Sequence, residues 1–134
     1  MVDLALVESV PQFAALPSGT KAALADAFDE VTVPAGERII SQGEFAYELF
    51  AILDGVGLVE QDGEVVATLG PGDLCGEIGL LLTGRRTAAI VADTPMRLLA
   101  LFDQTFRRLC REHFEFADVV RGQTQGRFSR PAST

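Results

Sequence analysis

The sequence predicts a mainly β domain with flanking α-helices, its strands forming an antiparallel β-roll. Three observations predict it. Between residues 31 and 102, short apolar runs alternate with turn chemistry at near-regular spacing. Before and after that stretch, apolar residues recur at helical spacing. Within it, a glycine-framed segment from Gly76 to Ala89 interrupts the strand pattern with a short apolar run of its own.

Residues 1–30 read as helical. Leu4, Leu6, Val7, Val10, Phe13 and Leu16 supply the apolar positions, and Pro11 and Pro17 break the run. Ser18 is placed to cap a further helix with Leu24, Ala27 and Phe28 on one face. β-type runs follow at residues 31–33, 38–41, 48–53, 56–61, 64–69, 88–93 and 96–102. Pro34-Ala35-Gly36, Gln42-Gly43, Asp54-Gly55, Asp62-Gly63 and Gly70-Pro71-Gly72-Asp73 separate them, each a turn signal. Their closed or rolled arrangement occupies residues 31–102. Asp103 is then placed to cap C-terminal helices over residues 103–128. Phe106, Leu109, Cys110, Phe114, Ala117 and Val120 form the apolar face, weakened near its end by Gly122 and Gly126. Residues 129–134 form a small polar tail.

At 134 residues the chain is expected to be one domain with a sizeable core. A hydrophobic fraction of 48% and a charged fraction of 22% fit an ordinary globular chain. The net charge of −8 argues against direct nucleic-acid binding. Cys75 and Cys110 form no close-spaced motif, so a reducing cytoplasm is the expected compartment, with both thiols packed as small hydrophobes. No apolar run is long enough for a membrane helix, and Asp3 and Glu8 stand where a signal peptide would be basic.

The segment Gly76-Glu77-Ile78-Gly79-Leu80-Leu81-Leu82-Thr83-Gly84-Arg85-Arg86-Thr87-Ala88-Ala89 carries the chemistry. A short helix starting after Gly76 turns its unpaired N–H groups and positive dipole end outward, which suits a phosphate. Arg86 adds a charge-assisted contact, and Thr87 a hydroxyl beside it. Glu77 can accept from a ribose hydroxyl. Phosphate and sugar recognised together read as a nucleotide site. Arg85, adjacent to Arg86, must point elsewhere. A Glu77–Arg86 surface ion pair is the bland alternative, and the flanking glycines weigh against it.

Helices, a sheet roll with an embedded phosphate helix and further helices resemble the cyclic nucleotide-binding domain family, across roughly residues 13–127. Val33-Pro34-Ala35-Gly36-Glu37-Arg38-Ile39-Ile40 with Gln42-Gly43-Glu44 resembles the family's first strands. Leu49 to Gly55 resembles the next strand and its turn. Gly72-Asp73 with Gly76 to Ala89 resembles the phosphate-binding cassette, placed at residues 72–89. The Gly-Arg-Arg-Thr-Ala wording is particularly similar to pacemaker and cyclic-nucleotide-gated channel domains. The resemblance implies a roll of the double-stranded β-helix or jelly-roll type. It implies that Glu77 holds the ribose 2′-hydroxyl, that Arg86 and Thr87 hold the cyclic phosphate, and that Gly76, Ile78, Gly79 and Ala88 add backbone contacts. Thr87 can also meet guanine in the syn form. Ala67, Arg127 and Phe128 are the candidate base contacts; Arg127 falls, counting from Phe106, where those channels place such an arginine. Cys75 stands where the family commonly has Phe or Tyr, which changes packing near the sugar.

The implied ligand is cyclic AMP or cyclic GMP, with no further cofactor and no metal. The implied role is a sensor that couples binding to movement of the C-terminal helix, acting on an unidentified effector domain or protein, with a homodimer as one arrangement. A cupin-like metalloenzyme is the rival. It needs several His and carboxylate ligands, and the single histidine, His113, lies in the helical region. No Gly-x-x-x-x-Gly-Lys-Ser/Thr loop and no Ser–His–Asp set is present, so no enzyme is expected. A transcription regulator would need a helix-turn-helix after the last helix. The chain otherwise reads as a stand-alone domain, or as a regulatory fragment of a channel, kinase, transporter or transcription factor. Met1 and the polar tail favour a stand-alone or N-terminal position.

Overall fold

A computed structural model describes residues 1–44, 47–76, 86 and 88–128, the last six as helix backbone. Three short helices open the chain: α1 (Leu4–Glu8), α2 (Pro11–Ala14) and α3 (Ser18–Ala27). The helical run is interrupted at Pro11 and Pro17 as expected; Pro11 itself opens α2, because the first helical position needs no N–H donor. Ser18 does not cap α3. Pro17 holds the cap position with its φ of −55° and ψ of 149°, and Ser18 is already helical with no capping hydrogen bond. Val7, Val10, Phe13, Leu16, Leu24 and Phe28 are buried as their spacing predicts, whereas Leu4 is exposed.

Eight strands follow: β1 (Asp29–Val33), β2 (Arg38–Ile40), β3 (Glu48–Asp54), β4 (Gly57–Gln61), β5 (Glu64–Leu69), β6 (Leu74–Cys75), β7 (Ala89–Ala92) and β8 (Met96–Phe102). They form two four-stranded antiparallel sheets, β1-β8-β3-β6 and β2-β7-β4-β5, rather than one closed barrel. Val33, Ile40, Phe50, Ile52, Val59, Ile90, Met96 and Leu98, drawn from both sheets, share one interior cluster. This is the rolled two-layer arrangement. β6 went unpredicted because two residues are too few to show alternation; Leu74 and Cys75 pair with Ala51 and Phe50. The Asp62-Gly63 turn behaves as its sequence requires. Both residues have positive φ, 53° and 84°, which a two-residue hairpin with the strands' own twist demands.

β3 and β8 are buried on both faces. Phe50, Ile52, Leu98 and Ala100 face the roll interior. Leu49, Ala51, Leu99 and Leu101 face the helices and join Val7, Phe13, Leu24 and Phe106 in a second cluster. Hence these strands are apolar in both phases of their alternation.

After β8 come α4 (Asp103–Glu112) and α5 (Phe114–Phe128). Asp103 is the first helical residue and not the cap. Phe102 holds that place, and the Asp103 carboxylate accepts the Gln104 N–H at 2.8 Å. His113 separates the helices with φ −133° and ψ 87°. That break resets the helical phase, so Phe114 is 68% exposed instead of joining Phe106 and Phe116 in the core. α5 continues through Gly122 to Phe128. Phe13 packs at 5.9 Å from both Phe28 and Phe116, and Phe106 meets Phe116 edge-on at 6.0 Å. These rings join α2, α4 and α5 into one layer against the sheet.

Truncating Phe116 to Ala is expected to lower stability by about 3–5 kcal/mol through the cavity it leaves. Truncating Phe114 to Ala should change it by less than about 0.5 kcal/mol. Urea unfolding of the two variants checks this, and equal losses would contradict the phase break at His113.

Candidate functional site

Arg86 is held first by its backbone. Its N–H donates to the Glu44 carbonyl at 2.7 Å, and its own carbonyl accepts the Gly43 N–H at 2.9 Å. The loop that makes these bonds is itself tied to the β4–β5 hairpin tip. The Gln42 amide donates to the Asp62 carboxylate at 3.2 Å and accepts the Asp62 N–H at 3.0 Å. The chain entering β7 is therefore tied to the hairpin tip at the same end of its sheet, where Ala89 pairs with Glu60.

The Arg86 side chain then reaches from the second sheet to the first. Its Nη2 donates to the Glu48 carbonyl on β3 at 2.9 Å. Its Nη1 donates to the Gly76 carbonyl, just past β6, at 3.3 Å. Arg86 is only 7% exposed. Removing a guanidinium from water costs several kcal/mol unless donors are satisfied and charge is compensated, so a buried arginine marks a place built to hold one. Two backbone carbonyls, from β3 and from the end of β6, fix the direction of the group.

Gly76 is the complementary half. Its φ is +94°, a conformation L side chains avoid. A Cβ there would stand 2.6 Å from Arg86 Nη1 and 2.7 Å from the Glu48 carbonyl oxygen. The close approach of backbone to guanidinium thus requires glycine.

The structure brings Gly76 and Arg86 together, ten positions apart in the chain. Ala88 lies just beyond Arg86, buried in the roll interior. Ala67 is half-buried on β5 and packs against the same interior cluster. Arg127 and Phe128 lie in the last turn of α5. Glu77, Ile78, Gly79, Arg85, Thr87 and the short helix expected after Gly76 lie outside the described residues. Sequence reasoning missed Glu48 and gave Gly43 and Glu44 no part in the site. All three act through backbone atoms, and residue type carries no signal for that; the Gln42-Gly43 turn was the available hint.

Neither cysteine contributes a polar group to the Arg86 contacts described above. Cys75 is buried beside Gly76 as a small apolar residue. Cys110 is half-buried; burial pushes its thiol pKa up, and nearby Arg121 and Arg107 pull partly the other way. Among the described residues, no group of three or more His, Cys, Asp or Glu is arranged to hold a metal ion. No helix among them is long and apolar enough to cross a membrane.

A family model described as the cyclic nucleotide-binding domain matches residues 30–113. The cAMP-dependent protein kinase regulatory subunit of Schizosaccharomyces pombe is 33% identical over 128 residues, covering 95% of this chain and 30% of that protein. The human potassium/sodium hyperpolarization-activated cyclic nucleotide-gated channel 2 is 38% identical over 109 residues, covering 81% of this chain and 12% of the channel. Among solved structures, the regulatory subunit of a cAMP-independent protein kinase A from Trypanosoma brucei superposes with a TM-score of 0.83 at 26% identity, covering 96% of this chain and 45% of that one. The chain thus spans under a third of these two curated relatives.

Substituting Gly76 by Ala should destabilise the protein by about 1–3 kcal/mol, through backbone strain and the forced displacement of Arg86. Substituting Gly63 by Ala, where a Cβ meets nothing within 4 Å, separates the two effects, since it carries the positive-φ strain alone. Chemical denaturation that ranks Gly63→Ala as the costlier change would contradict the packing described for Gly76.

Proposed function

The chain belongs to the cyclic nucleotide-binding domain family, and from that premise we propose that it binds cyclic AMP or cyclic GMP at Arg86 as a sensor. The observation that carries the reading is the buried guanidinium, oriented by the Glu48 and Gly76 carbonyls at the end of β6. A cyclic phosphodiester is a compact monoanion, and a fixed guanidinium meets two of its oxygens without first being ordered.

In this reading Arg86 pairs with the exocyclic phosphate oxygens. Thr87 adds its hydroxyl, and the backbone of Gly76, Ile78, Gly79 and Ala88 lines the phosphate. Glu77 accepts from the ribose 2′-hydroxyl. Ala67 on β5, with Arg127 and Phe128 on α5, faces the base. The ligand does its work by differential affinity for two arrangements of α5, which closes over the base as a lid. The domain itself catalyses nothing and works in the cytoplasm. Its output goes to an effector domain or protein, because the two curated relatives above are a kinase regulatory subunit and a gated channel of which the matched region is a minor share of the length. The T. brucei neighbour belongs to a cAMP-independent kinase, so the shared fold alone does not carry the ligand; the cassette residues do.

Isothermal calorimetry with cyclic AMP, cyclic GMP and 5′-AMP tests this. The cyclic ligand is expected to bind and the dianionic open-ring control to bind much more weakly. Arg86→Ala should lose roughly 1.5–3 kcal/mol of binding free energy, the range for a hydrogen bond to a charged group. Identical titration curves for wild type and Arg86→Ala would contradict the assignment. Glu77→Ala is expected to weaken binding and to erase the preference for the ribonucleotide over its 2′-deoxy analogue. A preference kept intact in that variant removes Glu77 from the sugar contact.

A further inference from the structure

We propose that Thr20 and His113 form a latch that positions the α4–α5 junction and thereby sets the affinity of the nucleotide site. The inference rests on the reading of α5 as a ligand-linked lid.

Two polar side chains are buried among the described residues, Arg86 at 7% exposure and Thr20 at 3%. Arg86 belongs to the site. Thr20 lies in the helical layer, on α3, where its neighbours Leu24 and Ala25 are apolar. A buried hydroxyl among hydrocarbon is a liability unless it is bonded. Its partner is far along the chain: the Thr20 hydroxyl and His113 Nδ1 share a hydrogen bond of 3.2 Å across 93 residues.

His113 is the residue at which the two C-terminal helices part. Its N–H closes α4 by donating to the Leu109 carbonyl at 2.8 Å. Its carbonyl opens α5 by accepting the N–H groups of Phe116 and Ala117 at 3.1 and 3.2 Å. One residue therefore ends one helix, starts the next and is tethered by its side chain to a third. Three residues on, Phe116 is fully buried against Phe13 and Phe106. A change in the direction of α5 pivots at His113. It must either carry the Thr20 bond with it or break it, and breaking it leaves the Thr20 hydroxyl buried without its partner. Thr20 and His113 take no part in the Arg86 hydrogen bonds described above; they are positioning residues acting through α5. By linkage, a ligand that favours one direction of α5 is felt at this bond, and the bond is felt at the ligand site.

The single histidine makes the test direct, because its imidazole nitrogens give unambiguous signals in long-range proton–nitrogen NMR of tag-free protein. Wild type is titrated with cyclic AMP and cyclic GMP by NMR and by calorimetry in parallel. The expected result is heat of binding together with a shift of the His113 nitrogen signals. Thr20→Val, close to isosteric, should change the dissociation constant about threefold or more, and Thr20→Ser should stay within about twofold of wild type. Heat without movement of the His113 signals, or wild-type affinity in Thr20→Val, overturns the latch and leaves the site reading standing. Absence of heat for both nucleotides overturns the site reading and the latch with it. Should Thr20→Val not fold, the wild-type titration decides alone, because the imidazole shift is read without any substitution.

Discussion

The buried guanidinium of Arg86 is the constraint around which the rest is arranged. A charge at 7% exposure is sustainable only where the chain delivers acceptors to it from fixed directions. β3 delivers the Glu48 carbonyl, and the end of β6 delivers that of Gly76. The main chain of Arg86 is pinned in turn by Gly43 and Glu44. Three separate stretches of sequence must be in register before one cation is satisfied. Much of the roll's exactness is spent there, and the positive φ of Gly76 is part of the same arrangement.

The same strands connect that cation to the helices. β3 offers Glu48 to Arg86, Phe50 and Ile52 to the roll interior, and Leu49 and Ala51 to the helical layer. Little slack separates the site from α1 to α5, because a close-packed core transmits displacement more readily than it absorbs it. The turn before β6 is similarly engaged: a Cβ at Gly72 would stand 3.1 Å from the Pro11 ring of α2. α2 carries Phe13, which packs on Phe116 of α5. The end of β6 and the last helix therefore have a continuous packed route between them. The two arrangements of α5 remain the proposed element of that route.

Most of this architecture could be read from residue order. Asp62-Gly63 announced its hairpin because few other dipeptides accept two positive φ angles in succession. Leu98-Leu99-Ala100-Leu101 was read only as a strand; its apolar doubling is what burial on both faces requires. The errors have physical causes. Ser18 and Asp103 look like caps by residue type, yet the preceding residues, Pro17 and Phe102, already have the extended conformation a cap position requires. Phe114 looked like core only while residues 103–128 were counted as one uninterrupted phase, and the break at His113 removes it. At the site, Gly76 and Arg86 were legible because glycine and arginine have narrow uses. Glu48, Gly43 and Glu44 were not, since any residue supplies the backbone groups they contribute. The Thr20–His113 bond was beyond reach for a related reason: neither residue type is unusual, and only the fold brings them together.

The central claim is that Arg86 and the chain at Gly76 converge on a cyclic phosphate. A crystal structure with the bound cyclic nucleotide tests it most directly. The account predicts exocyclic phosphate oxygens about 2.7–2.9 Å from the Arg86 guanidinium, with the backbone at Gly76 alongside. A nucleotide seated elsewhere on the roll, with the guanidinium turned away from its phosphate, would contradict it.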